Sequence, residues 1–233
     1  MKVLILAAGE GTRLKSHTAH IPKPLVPLKG KPIIIHIIEA CKKAGLSEFV
    51  IVTGYLKDML EKSLRAYDKN ITFVHNPLFE TAENGQSAYA ARDFFKDENS
   101  FVLTMCDHLV EPNLLKKLIQ AHPQNGCVLA VDKNMSAPRD ISEATKVFVE
   151  NGVIKKIGKG ISRYNAVDTG FFLCTPVLFQ ALKTSINQKK SRLSEAMQVL
   201  ADQQKLFAAD VTGYFWLDVD TEEELEQAHQ KVI

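Results

Sequence analysis

Residues 4–32 read LILAAGEGTRLKSHTAHIPKPLVPLKGKP. A short apolar run ends in a glycine-rich turn, and two basic residues, Arg13 and Lys23, follow. The apolar run begins just upstream, and KVLILAA (2–8) has the composition of a strand buried on both faces. In an open parallel sheet, ligands bind beyond the carboxyl ends of the strands, which is where the turn from Ala8 to Arg13 belongs. Gly9 and Gly11 let backbone approach a ligand and aim N–H groups at it, while Arg13 and Lys23 can neutralise phosphate oxygens. The turn is not a dinucleotide fingerprint, because Leu14 stands at the third glycine and Pro22, Pro24 and Pro27 forbid a long helix. G-x-x-x-x-G-K-[ST] is absent as well. Taken alone, the loop also reads as a structural turn with solvated charges.

Outward from this stretch, strand and helix signals alternate. Apolar residues recur at helical spacing over 32–46, with Pro32 at the start and Gly45 as a stop. The spacing predicts strands at 48–54, 71–76, 100–107 and 126–132, and helices at 55–67, 85–95 and 112–122. Such alternation predicts βαβ units in a mostly parallel sheet covered on both faces. After residue 132 the pattern changes. Residues 145–158 read as a hairpin around Asn151-Gly152, followed by a strand at 167–174 and helices at about 176–183 and 193–204. Short strands at 206–211 and 213–219 precede a closing helix at 221–232, whose Thr221 and Glu224 form a capping-box pattern. The expected architecture is one α/β domain over 1–233, a Rossmann-like mixed but mostly parallel sheet flanked by helices. The second half is expected to add a small antiparallel lid.

Composition narrows the function classes. The 233 residues are 45% hydrophobic and 24% charged, with 29 basic against 27 acidic side chains. That balance, without a block of like charges, gives no sign of a nucleic-acid or membrane-surface binder. Cys41, Cys106, Cys127 and Cys174 are far apart and lie in apolar runs, which fits small buried hydrophobes in a reduced, cytoplasmic protein. VLILAA is too short for a signal-peptide core or a membrane span.

Phosphoryl and nucleotidyl transfer depends on positioning and charge neutralisation, usually with magnesium, which takes carboxylate and phosphate oxygens. Asp107 ends a buried strand, and FWLDVDT offers Asp218 and Asp220. A turn or helix-cap role is the plainer reading of each, most of all for Asp220 just before Thr221. The residues alone leave Asp218 and Asp220 both open. Strand alternation points His108 away from the face used by Asp107, unless the strand has already ended.

LAAGEGTRL with PKPLVPLKGKPII resembles the signature of the nucleotidyltransferases that activate sugar and alcohol phosphates. LTMCDHLVEP, DISEATKV, VDTGFFLC and FWLDVDT together resemble the inositol-1-phosphate cytidylyltransferases, which occur alone or as the first half of bifunctional enzymes making di-myo-inositol phosphate. The likeness runs from Lys2 to about Ala228. It implies a nucleotide-binding half (1–132) and an acceptor-binding half with the closing helix (133–233). It implies a triphosphate held by Leu6, Ala7, Ala8, Gly9, Glu10 and Gly11, with Arg13 and Lys23 on its phosphates, and Cys106 beside the nucleotide where a smaller Ser or Gly is expected. Asn84, Gly85 and Ser87 would recognise the base, in a version that favours CTP. Asp107 and Asp218, the latter in a W-x-D pattern, would hold Mg2+, leaving Asp220 beside them or as a cap. Lys146 would anchor the acceptor phosphate, with Glu143, His108, Asp168, Thr169 and Gly170 around the polyol. Arg192 departs from the family in interrupting a serine-rich turn.

The implied substrates are CTP and inositol 1-phosphate, with no nucleic acid and no membrane insertion, and with the product passed to a separate membrane transferase. Choline phosphate or a hexose 1-phosphate is the alternative acceptor, and a choline site would draw on Tyr164, Phe171, Phe172 and Trp216 as an aromatic box. A non-catalytic nucleotide- or sugar-sensing module is the third reading, which the full set Arg13, Lys23, Asp107 and Asp218 disfavours.

Overall fold

The computed structural model describes residues 1–135, 141 and 143–231. Asp140 and Ser142 of the DISEATKV segment, and residue 232 at the end of the expected closing helix, lie outside them. The strands are β1 (Lys2–Ala7), β2 (Pro27–Leu28), β3 (Lys31–Pro32), β4 (Glu48–Thr53), β5 (Thr72–His75), β6 (Phe101–Met105), β7 (His108–Val110), β8 (Cys127–Asp132), β9 (Lys146–Glu150), β10 (Val153–Gly158), β11 (Ala166–Cys174), β12 (Leu206–Asp210) and β13 (Trp216–Asp218). The helices are α1 (Lys15–Thr18), α2 (Ile33–Lys43), α3 (Lys57–Tyr67), α4 (Asn84–Ala90), α5 (Pro112–Ile119), α6 (Val177–Asn187), α7 (Leu193–Asp202) and α8 (Glu222–Lys231).

Nine strands form one sheet in the order β5-β4-β1-β6-β11-β8-β12-β10-β9. Alternation along β1 shows how it is buried on both faces. Val3, Ile5 and Ala7 pack into one apolar cluster, while Leu4, Leu6 and Ala8 pack into the other. Helices α2, α3, α5 and α8 cover the first face, and α4, α6 and α7 cover the second. The result is a three-layer α/β/α stack with two cores.

One expectation holds and one is corrected. The sheet is mixed and mostly parallel, as expected: β5, β4, β1, β6, β8, β12 and β9 share one direction, whereas β11 is antiparallel to both β6 and β8, and β10 to both β12 and β9. The second half, however, is not a separate antiparallel lid. Its strands β9 to β12 continue the main sheet, with the β9–β10 hairpin at the far edge, and β13 pairs with β7 in a two-stranded ribbon. The prolines after the glycine turn do limit the local helix, since α1 has four residues. No helix among the described residues is long and apolar enough to cross a membrane.

Candidate active site

The site forms at the carboxyl ends of β1 and β6. Leu6, Ala8, Gly9, Gly11, Arg13 and Lys23 line a cavity of ≈ 390 Å³ together with Asn84, Ser87, Cys106, Asp107 and Asp220. Most residues expected around a nucleotide are therefore gathered in one place. Gly11 has φ +68, and a Cβ there would lie 2.6 Å from Lys23 Cβ, so the glycine is required by the close passage of that side chain.

Lys23 is buried, and its ammonium donates to Asp107 Oδ2 and, at 2.6 Å, to Asp220 Oδ1. The guanidinium of Arg13 pairs with the other oxygen of Asp220. Burial works against the Lys23 charge, but Asp107, Asp220 and Asp218 outweigh it and hold its pKa above the usual lysine value. Burial likewise pushes Asp107 up, and Lys23 and His108 more than reverse this, leaving the carboxyl well below its ordinary range. Asp107 and Lys23 thus face the cavity as a charged pair at neutral pH.

A short ribbon brings the distant carboxylates together. β13 runs antiparallel to β7 with Asp218 opposite His108, and Val219 N–H donates to Asp107 O at 3.1 Å. The strand bearing Met105 has ended before Asp107, so His108 opens β7 and its Nδ1 lies 2.7 Å from Asp107 Oδ1 and 3.7 Å from Asp218 Oδ1. Burial opposes a charge on His108, yet Asp218, Asp107 and Asp168 raise its pKa to about 9. Asp218 is pushed up by burial and by the charges of Asp107 and Asp220, against the pull of His108. Its Oδ1 is buried with no hydrogen-bond partner among the described residues. One ligand atom each from Asp107, His108 and Asp218 lies within 4.8 Å of the others. An orphaned carboxylate oxygen beside a second carboxylate fits an oxygen-seeking divalent cation such as Mg2+.

Asp220 is not a helix cap. Thr221 Oγ1 accepts Glu224 N–H at 3.3 Å, and Glu224 Oε2 accepts the N–H groups of Asp220 and Thr221 at 2.8 Å, which completes the expected capping box and leaves the Asp220 carboxylate for Lys23 and Arg13.

A second cavity of ≈ 870 Å³ adjoins the first, with Arg13, Glu83, Asn84 and Met105 lining both. Asp168 lines it, and its Oδ1 accepts Gly170 N–H at 2.7 Å. Burial raises the Asp168 pKa to about 6, against that hydrogen bond and His108. Gly170 has φ +79, and a Cβ there would meet His108 Cδ2 at 2.0 Å.

Several expected residues are placed differently. The Lys146 ammonium donates to Lys159 O at 3.0 Å and lies over the Tyr164 ring, and Lys146 lines neither cavity. Thr169 is buried with its hydroxyl on Ala130 O. Glu143 is exposed and pairs with Lys159 at 3.0 Å. Lys159, Lys190 and Arg192 line the second cavity, and no motif in the sequence marks the first two. In the segment expected to read the base, Gly85 N–H donates to Ser191 O at 2.8 Å, Asn84 Oδ1 accepts Leu193 N–H at 2.9 Å, and Ser87 Oγ accepts from Asn76.

The family model described as nucleotidyl transferase matches residues 2–233. The chain belongs to the nucleotidyl transferase family. This nucleotidyl transferase is 35% identical to the bifunctional IPC transferase and DIPP synthase of Aquifex aeolicus, over 99% of this chain and 51% of that protein. It is 33% identical to the protein of the same description from Archaeoglobus fulgidus, over 100% of this chain and 44% of that one. The chain therefore spans about half the length of these bifunctional relatives. Among solved structures, the inositol-1-phosphate CTP transferase from T. maritima superposes with a TM-score of 0.87 at 26% identity, over 100% of this chain and 97% of that one.

Proposed function

We propose that this nucleotidyl transferase converts CTP and inositol 1-phosphate to CDP-inositol and pyrophosphate, the cytidylyl-transfer step of di-myo-inositol phosphate synthesis. The observation that carries the reading is the pair of adjoining cavities. One has the glycine turn, Arg13, and Lys23 held between Asp107 and Asp220; the other has Asp168 on its wall. The end-to-end likeness to an inositol-1-phosphate CTP transferase supports the choice of substrates.

The triphosphate lies along the glycine turn, where Arg13 and Lys23 offset its charge. Lys23 is buried and ion-paired, so it is fixed before the reaction and stabilises charge growing at the α-phosphate without reorganising. The acceptor phosphate needs no general base, because a phosphate monoester with a second pKa of about 6 is mostly ionised at neutral pH. Its oxygen attacks the α-phosphorus in line with departure of pyrophosphate. Asp107 and Asp218 would hold Mg2+, which when bound neutralises triphosphate charge. Asp168, an acceptor of several hydrogen bonds when ionised, binds polyol hydroxyls.

A choline-phosphate acceptor is less well supported. Phe171 and Phe172 are buried in opposite cores, and Trp216 Nε1 donates to Asp132 Oδ2 at 3.0 Å, so these rings do not wall one aromatic box.

The test is pyrophosphate release with Mg2+, crossing CTP, UTP, dTTP and ATP against inositol 1-phosphate, choline phosphate and glucose 1-phosphate. Release is expected with CTP and inositol 1-phosphate, and preference for another pair would overturn the substrate assignment. Asp107→Ala is expected to abolish turnover while the protein stays folded by circular dichroism. Wild-type kcat in that variant would sink the role given to Asp107.

A further inference from the structure

Among the described residues, Asp220 is the one carboxylate that meets both phosphate-directed cations, pairing through Oδ1 with Lys23 and through Oδ2 with Arg13. The two cations differ in freedom. The Lys23 side chain is 6% exposed and is gripped by Asp107 as well, whereas that of Arg13 is 54% exposed and pairs with Asp220 alone among the described residues. Asp220 is itself held in place: its backbone N–H donates to Glu224 Oε2 at 2.8 Å, as does that of Thr221, at the first turn of α8. Its carboxylate also lies on the wall of the cavity lined by the glycine turn.

Resting on the function proposed above, we infer that Asp220 is a positioning residue with two opposed effects on the nucleotide. It clamps the Lys23 ammonium against Asp107, which fixes the cation that meets the growing charge. It also competes with the triphosphate for Arg13, so nucleotide binding must exchange one anion for another on that guanidinium. Two anions cannot both be close partners of one exposed guanidinium without repelling each other. The buried lysine cannot leave with the nucleotide, because its ammonium would lose Asp107 without water to replace it.

The inference separates binding from turnover. Asp220→Asn keeps the size of the side chain and removes its charge. The variant is expected to bind CTP more tightly, read as a lower Kd by titration calorimetry in Mg2+ buffer. Its kcat for pyrophosphate release is expected to fall by about tenfold or more, the scale of loss when a reacting group is slightly misplaced. Arg13→Ala alone should weaken CTP binding. In the Arg13→Ala background, Asp220→Asn should no longer tighten it, because the competition has no target.

Tightening that persists without Arg13 would overturn the exchange, and so would weaker CTP binding by Asp220→Asn in the wild-type background. An unchanged kcat would overturn the clamp. A purely structural role predicts a lowered melting temperature with kcat and Kd worsening together. Should Asp220→Asn fail to fold, Asp220→Glu retains the charge and is expected to keep Kd near wild type while kcat falls from misplacement of Lys23. Tighter CTP binding by that variant would overturn the proposal. If wild type gives no turnover with CTP and inositol 1-phosphate, the functional reading fails on its own, and the four-protein Kd cycle still decides the exchange on Arg13.

Discussion

The His108 imidazole faces Asp107, Asp218 and Asp168, and this sets both its charge and the pH behaviour of the fold. Its pKa rises from 6.5 to about 9, because the three carboxylates outweigh the burial that opposes a positive charge. A raised histidine contributes stability that is complete below the unfolded pKa and is lost as pH rises through the folded one. The unfolding free energy in chelator-containing buffer is therefore expected to decline between pH 6.5 and 9. Urea titrations of wild type and His108→Gln test this, and equal slopes in the two proteins would exclude His108 as the cause. Gly170 underlies the same ring. Ala there must adopt φ +79 and also place a Cβ 2.0 Å from His108 Cδ2. Gly152 supplies the control, with φ +76 and no atom within 4 Å of a built Cβ. Gly152→Ala is expected to cost about 1–2 kcal/mol for the left-handed backbone alone. Gly170→Ala should cost more in the same urea assay and should flatten the alkaline pH decline by displacing the imidazole. Equal costs for the two variants would contradict the packing of His108 against Gly170.

Elements, rather than residues, decide how much of the site could be read in advance. β1, β4, β6 and β8 were legible because short unbroken runs of apolar or nearly apolar residues, bounded by turn residues, leave few alternatives. Asp107 was legible for the same reason, since it follows such a strand. The β7–β13 ribbon was only half legible: β13 lies inside the strand expected at 213–219, but the three residues of β7 carry no usable period and the register between the two is a long-range fact. That register, with Asp218 opposite His108, leaves Asp218 Oδ1 without a hydrogen-bond partner among the described residues and sends Asp220 to the two cations. The α4 segment shows a related limit. Asn84 opens α4, yet the helix its side chain caps is α7, through Leu193 N–H at 2.9 Å. Asn84→Ala is expected to lower stability by about 1 kcal/mol, as loss of an N-terminal cap does. A shift in the urea midpoint at constant slope would measure it. An unchanged midpoint would mean that α7 draws nothing from the bond. The adjoining contacts, Gly85 N–H to Ser191 O and Arg192 to Glu83, tie the irregular connector before α7 to the start of α4.

At the scale of the whole molecule, the sequence suggested a parallel half and a lid, whereas the chain builds one sheet. The reason is that a strand's period of two reports its burial and says nothing of its partner. β11 reads as one more strand following the hairpin, yet it inserts between β6 of the first half and β8, so the two halves share their central hydrogen bonds. β12 returns to run parallel to β8 from Leu206↔Cys127 to Asp210↔Val131. Each core is likewise common property, since Phe171 and Leu173 share a cluster with Val3 and Ile5, while Phe172 and Cys174 share the other with Leu4 and Leu6. Neither half can unfold without exposing apolar surface and strand edges of the other. The chain is therefore expected to unfold in one cooperative transition. The single tryptophan, Trp216, lies in β13 and packs against the first core, so its fluorescence reports the second half of the chain in contact with the first. Its urea transition should coincide with that of far-ultraviolet circular dichroism, which averages over all helices and strands. Two separated midpoints would show that the halves have independent stability and that the shared β6–β11 edge contributes little to it.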